Sequence, residues 1–295
     1  MSLAAVLARL DAYEKLIRLD KPIGILLLLW PTLWGLWLAV RAVPDWGLLW
    51  IFFMGTVLMR SAGCALNDWA DRSFDRHVER TRERPLASGA IHPEEAIVVA
   101  ASLALCAFMM VVWTQNLLTI GLAVVAAVIA AVYPFTKRFL ALPQAWLGMC
   151  FGFGIPMAFA AHTGEVPPLA WQLWAANFFW VLAYDTEYAM VDREDDRRIG
   201  IKTSAILFGR YDLVAVMVFY ALFILVMAAI GGTRGYGAPY IAGLACAAAI
   251  AARHVYWIRD RSREACFRAF RDNHWIGLAV FAGVVLDNLP RSVAG

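Results

Sequence analysis

Along the chain, apolar runs long enough to cross a bilayer alternate with short, strongly charged connections. A hydrocarbon core about 30 Å thick calls for roughly 20 apolar residues in helical form. Runs of that length lie near residues 22–40, 46–68, 95–113, 116–134, 143–161, 169–190, 211–231, 236–257 and 274–290. Backbone polar groups in lipid must be satisfied within each segment, so these runs predict an all-α polytopic membrane protein, a bundle of nine transmembrane helices. Residues 1–295 read as a single integral membrane domain, with 1–21 as an N-terminal segment outside the bilayer. An aspartate-rich stretch follows the second run and another follows the sixth, a short internal echo that suits a bundle of repeated helical modules.

Composition agrees with that reading. Hydrophobic residues make up 62% and charged residues 17%, where soluble domains average about 45–50% and 25%, and the mean hydropathy is +0.63. A net charge of +3 does not indicate nucleic acid, because the basic residues alternate with hydrophobic spans instead of lining one soluble face. The five cysteines are odd in number and mostly sit inside apolar runs, so they read as small core hydrophobes and not a disulfide framework. Charges precede the first apolar run, which is unlike a cleavable signal.

If the nine spans alternate in direction, 21 of the 26 basic residues fall on one side. The other side keeps Arg41, Arg234 and Arg291, while Arg60 and Arg253 lie within spans. The positive-inside rule then puts the N-terminus and both acidic stretches in the cytoplasm and the C-terminus outside.

Candidate chemistry lies in the two acidic stretches. The first, NDWADRSFD at 67–75, sits at the end of a membrane run, where unpaired carboxylates cost on the order of several kcal/mol. On a helix Asn67, Asp71 and Asp75 recur every four residues and share a face. In the second stretch, YDTEYAMVDREDD at 184–196, Tyr184, Tyr188, Asp192 and Asp196 share a face in the same way, with Asp195 beside them. Hard oxygen ligands so gathered suit Mg²⁺, which shares its coordination with water and substrate phosphates. Arg72, Arg193, Arg197, Arg198 and Lys202 are placed to meet phosphate oxygens, and Arg80, Arg82 and Arg84 lead into a turn, RPLASG, fit to cap the cavity between the two faces. Arg60, seven residues before Asn67 and deeper in the membrane, reads as lining that cavity. The five histidines show no ligand spacing, and the thirteen tryptophans read as interfacial belt and helix packing. A cation-coupled transporter is the reading from another class, but its polar path would run through to the outer face, where the spans are almost wholly apolar.

Four stretches, RLDKPIGILLLLWPTLWGL (18–36), GCALNDWADRSFDRHVERTRERPLASG (63–89), YPFTKR (133–138) and YDTEYAMVDREDDRRIGIKTSAILFG (184–209), resemble the UbiA superfamily of intramembrane prenyltransferases. The resemblance implies a nine-helix bundle around a central cavity, opening laterally to a long isoprenoid in the lipid bilayer. It implies that Asn67, Asp68, Asp71, Asp75, Asp192, Asp195 and Asp196 bind Mg²⁺, with Asp71, Asp75, Asp192 and Asp196 catalytic. Asn67, Arg72, Arg193 and Lys202 are then the expected diphosphate contacts, and Arg138, Lys137 and Arg60, in that order, the candidates for an acceptor carboxylate. Relatives prenylate dihydroxynaphthoate, haem, chlorophyllide, homogentisate or glycerol phosphates. The KPIG to WPTLW and YAMVDREDD blocks favour transfer from a polyprenyl diphosphate to carbon 3 of 4-hydroxybenzoate.

Overall fold

The structure, a computed structural model, describes residues 2–293, with side chains through Leu289. The helices are, in chain order, α1 (Leu3–Leu16), α2 (Ile23–Val40), α3 (Trp46–Asp75), α4 (Pro85–Ser88), α5 (Pro93–Val112), α6 (Leu117–Thr136), α7 (Pro143–Phe151), α8 (Gly154–Thr163), α9 (Pro168–Val191), α10 (Arg193–Ile199), α11 (Ser204–Phe208), α12 (Asp212–Arg234), α13 (Ala238–Ile258) and α14 (Arg263–Val293). No strand occurs among the described residues.

Seven spans are long and apolar enough to cross a membrane, α7 and α8 counting together as one. This is a multi-span membrane protein. Helices α9 and α14 fall outside that group because they carry polar residues inward: Asn177, Asp185, Glu187, Asn273 and Asp287 are all buried. All nine predicted runs are helical, with three differences of detail. The fifth is broken between α7 and α8, where Pro156 has no N–H to offer the Gly152 carbonyl and Ile155 takes it instead at 3.0 Å. The second continues through Asp75, making α3 about 45 Å long with the first acidic stretch as its helical end. The last begins at Arg263, eleven residues before the apolar run, because buried Cys266, Ala269 and Asn273 give this charged turn an inward face. Arg291, expected on the outer side, lies outside the residues whose side chains are described.

Sequence signals fix the helix starts. Asp45, Asn116 and Thr203 each accept a backbone N–H from the first turn, and α5, α7 and α9 open on proline at a position whose N–H has no helical partner anyway. The core is aromatic. Trp34 of α2, Trp180 of α9 and Phe223 of α12 stack with centroids 5.3–6.1 Å apart, all fully buried. Trp34 is therefore core and not interfacial belt, whereas Trp46, 77% exposed, fits the belt expectation. Beneath this stack Glu187, Tyr220, His254 and Asn273 form a buried hydrogen-bonded cluster, and Trp180 donates to Asn273 at 2.9 Å. The thinner wall is made by α5 and α6, which present Val98, Leu105, Met109, Val124 and Val128 outward.

Helices α13 and α14 make the closest crossing. A Cβ on Gly243 would fall 2.6 Å from the Ala279 carbonyl and 2.9 Å from the Gly283 Cα, contacts no side chain tolerates. Gly243→Ala should force these backbones apart and cost about 1–3 kcal/mol, read as a lower Tm in detergent; an unchanged Tm would contradict this packing.

Candidate functional site

Helices α2, α3, α5, α6, α7, α8, α9 and α14 surround one cavity of about 1060 Å³. Its mouth is charged and its depth apolar. Asn67, Asp71 and Asp75 line it from α3, and Tyr184, Asp185, Tyr188 and Asp192 from α9, followed by Asp196 of α10. The every-fourth-residue reading thus holds on both helices. The second stretch is not one continuous helix, since Asp192 caps both α9 and α10, but the Asp196 N–H still donates to the Asp192 carbonyl at 2.9 Å and keeps both carboxylates on the cavity.

Each of three cavity carboxylates is held by a cation from elsewhere in the chain. Lys137, at the end of α6, donates to Asp71 at 2.8 Å and to Asn67 at 3.4 Å. Arg84 donates to Asp75 at 2.9 Å, and Arg80 clasps Asp192 with its Nε 3.1 Å from both oxygens while lying over the Tyr188 ring. Asp196 carries no ion pair among the described residues. Burial above all, then the charge of Asp192, pushes its carboxyl up to about 7.

Asp68 is fully buried behind this layer and receives Arg18 at 2.5 Å and Arg84 at 3.1 Å. Arg18 sits in the left-handed region, φ 59°, a strained turn after α1 held by its grip on Asp68. One carboxylate therefore ties the N-terminal segment, α3 and the loop before α4 together.

Deeper in, Arg60 lines the cavity, with no ion-pair partner among the described residues. Gly24 makes its place: a Cβ there would stand 2.4 Å from the guanidinium nitrogens. Beyond it the wall is built of small or apolar residues, Ala104 and Ala107 of α5, Ala123, Ala126, Ala127 and Ala130 of α6, with Phe52 and Met157.

Six expected site residues do not reach this cavity. Asp195 receives Arg263 at 3.1 Å, and Arg193 pairs with buried Asp212. Arg72 lies over Trp69 and donates to its carbonyl at 2.6 Å, and Arg138 donates to the Ala70 carbonyl between the Phe74 and Phe135 rings. Asp68 makes the buried pairs just described. All five sit one residue from a cavity side chain, and a helix turns about 100° per residue, so each faces another way. Lys202 is exposed and donates to the Phe139 carbonyl at 3.2 Å. Conversely, sequence reasoning left Arg18, Arg80 and Arg84 as capping or terminal charges and passed over Asp185 and Gln144, which also line the cavity. Arg84 was within reach, nine residues from Asp75 on the far side of a turn; the Arg80 to Asp192 pair spans 112 residues and left no local trace.

The donors facing the cavity are all oxygen, from Asn67, Asp71, Asp75, Asp192 and Asp196. Among the described residues no three His, Cys, Asp or Glu side chains converge closely enough to hold a metal alone. A sparse, hard oxygen set of this kind fits Mg²⁺, which completes its shell with water and phosphate, better than a closed protein cage.

Residues 28–278 match the UbiA prenyltransferase family. The chain is 61% identical over 281 residues, 95% of this chain and 98% of the relative, to the 4-hydroxybenzoate octaprenyltransferase of Cupriavidus necator. Among solved structures, the apo UbiA homolog from Aeropyrum pernix K1 superposes with a TM-score of 0.80 at 25% identity, covering 89% of this chain and 97% of that one. The Archaeoglobus fulgidus homolog, solved bound to GPP and Mg²⁺, gives 0.72 at 17% identity, with 93% and 99% covered, a likeness of fold.

Removing the buried Asp68 carboxylate strands Arg18 and Arg84. Asp68→Ala should cost about 3–5 kcal/mol and expose the 76–92 loop to protease in detergent; unaltered Tm and cleavage would show that this carboxylate holds nothing together.

Proposed function

Since the chain belongs to the UbiA prenyltransferase family, we propose that it transfers an octaprenyl group from all-trans octaprenyl diphosphate to carbon 3 of 4-hydroxybenzoate, a membrane step of ubiquinone biosynthesis. The whole chain acts as one integral unit in the inner membrane, with its N-terminus and cavity mouth in the cytoplasm and the far end of α14 outside, as its basic residues favour. The observation that carries the reading is a single cavity joining the carboxylates and cations at its mouth to an apolar chamber lined by small residues. The name of the Cupriavidus necator relative supports the acceptor and chain length.

The diphosphate belongs at the mouth, between Asp71 and Asp75 on one side and Asp192 and Asp196 on the other. Bound Mg²⁺ would supply positive charge to the departing diphosphate there. Asn67 and these four carboxylates are its proposed ligands; Asp68 and Asp195 support them from behind. Lys137, Arg80 and Arg84 already stand at this rim, and each can turn from its carboxylate to phosphate oxygens as charge develops on them. The isoprenoid then runs into the apolar chamber, whose walls exclude the water that would otherwise quench an allylic cation. Tyr188 and Phe270, 4.4 Å apart, put aromatic rings on the cavity wall beside that cation. Arg60, half-buried and with no ion-pair partner among the described residues, is the best-placed group for the acceptor carboxylate; Arg138 is turned away and Lys137 engaged with Asp71.

Purified protein with Mg²⁺, radiolabelled 4-hydroxybenzoate and octaprenyl diphosphate should move label into a lipid-extractable product, and dihydroxynaphthoate should not substitute. Asp71→Asn and Asp192→Asn should each reduce this at least about 100-fold while the protein stays folded in detergent. Near-wild-type transfer by either variant would remove the metal and diphosphate assignment. Separately, Gly24→Ala, by displacing the Arg60 guanidinium, should raise KM for 4-hydroxybenzoate with little change in KM for the prenyl diphosphate; equal effects on both would place the acceptor elsewhere.

A further inference from the structure

Transfer of a prenyl group to an aromatic ring needs a base for the ring proton, one not ion-paired with the cations that anchor the diphosphate. We infer that Asp185 is that base and that the Tyr184 hydroxyl holds the acceptor against it. This rests on the prenyl-transfer reading above.

Three observations carry it. Asp71, Asp75 and Asp192 are each tied to a lysine or arginine, whereas Asp185, like Asp196 at the rim, has no ion pair among the described residues. A carboxylate already bound to a cation is a poor base, and an uncommitted one is available. Asp185 also lies on α9 seven residues before Asp192, hence about 10 Å further into the bundle, on the cavity and only 8% exposed. Finally, the Tyr184 hydroxyl, on a side chain 1% exposed that lines the same cavity, has no hydrogen-bond partner among the described residues. A buried, unsatisfied O–H is costly, and one on a side chain that lines a cavity points to a ligand oxygen that satisfies it when the cavity fills.

The surroundings agree. The groups bearing on the Tyr184 hydroxyl are Asp185, Arg60 and Tyr133, and those bearing on Asp185 are Lys137 and Gln144. Gln144 is itself anchored, its Oε1 accepting the Ser204 N–H at 2.9 Å. An acceptor whose carboxylate meets Arg60 thus finds a hydroxyl donor and a free carboxylate in the same chamber. The bond from the allylic carbon to the diphosphate oxygen breaks and the diphosphate leaves with the electron pair. Ring carbon 3 then bonds to the allylic carbon, the carbon 3 to hydrogen bond returns its electrons to the ring, and Asp185 receives the proton as a neutral carboxylic acid.

The test compares wild type, Asp185→Asn, Asp185→Glu and Tyr184→Phe with ordinary and ring-deuterated 4-hydroxybenzoate, following both prenylated product and released diphosphate. Asp185→Asn should lose about 100-fold or more in kcat, hold KM for the acceptor, and show a larger ring-deuterium isotope effect than wild type. It should still cleave octaprenyl diphosphate, the chain appearing as the alcohol. Asp185→Glu should recover part of the rate, and Tyr184→Phe should act mainly on acceptor KM. An Asn variant with wild-type kcat, or one that loses diphosphate cleavage and product together with no isotope effect, would overturn the assignment. Wild-type protein that makes no product from 4-hydroxybenzoate would refute the functional reading itself, and with it this base.

Discussion

Everything in this bundle turns on keeping carboxylates charged at the edge of a low-dielectric interior. Asp68, Asp71, Asp75 and Asp192 are all less than a tenth exposed, and a lone ionised group there is costly. Each is offset by a cation delivered from a distant part of the chain: Arg18 from the N-terminal turn, Arg80 and Arg84 from the loop after α3, Lys137 from the end of α6. The pairs do two jobs. They close the charged ends of α3, α6 and α9 around one chamber, and they gather at its mouth the acidic and basic groups to which we assign a divalent ion and a diphosphate. Asp68 serves the first job, and the cavity-facing aspartates the second.

The remainder of the molecule makes that edge usable. The Trp34, Trp180 and Phe223 stack and the buried cluster around Asn273 fix α9 against α2, α12 and α14, so that Tyr184, Asp185, Tyr188 and Asp192 look into the chamber in a defined rotation. On the other side α5 and α6 are thin-walled, with alanines inward and branched aliphatics outward. A charged mouth, an aromatic shoulder and a smooth apolar interior suit a substrate that is ionic at one end and hydrocarbon along its length.

Much of this was legible in the sequence, and the limits are physical. Nine apolar runs located nine helical segments because bilayer thickness sets their length, and periodicity placed Asn67, Asp71 and Asp75 on one face because α3 stays regular to Asp75. Side chains one position off that face were harder. Asp68, Arg72, Arg138, Arg193 and Asp195 carry suitable chemistry in the right stretch, yet a rotation of about 100° per residue sends each elsewhere; composition names the stretch, and only the helix phase picks the residue. Arg80 and Asp192 meet across 112 residues, a contact decided by packing. Asp185 was overlooked because the Asp192 to Asp196 group two turns on is denser and more exposed to a motif search, and its significance lies in having no cation, which no single sequence records. The charged first turns of α14 were missed for a similar reason, since hydropathy penalises arginines whose guanidinium groups reach outward, as Arg268 does over Trp257 at 4.0 Å.

The most direct measurement is a microscopy map of the protein in lipid discs with Mg²⁺, a non-cleavable thio-analogue of octaprenyl diphosphate and 4-hydroxybenzoate. The account predicts diphosphate density between Asp71 and Asp75 of α3 and Asp192 and Asp196 of the α9 to α10 junction, with the hydrocarbon tail along the alanines of α6. Diphosphate bound outside that gap, or Lys137, Arg80 and Arg84 still on their carboxylates with all ligands present, would contradict it.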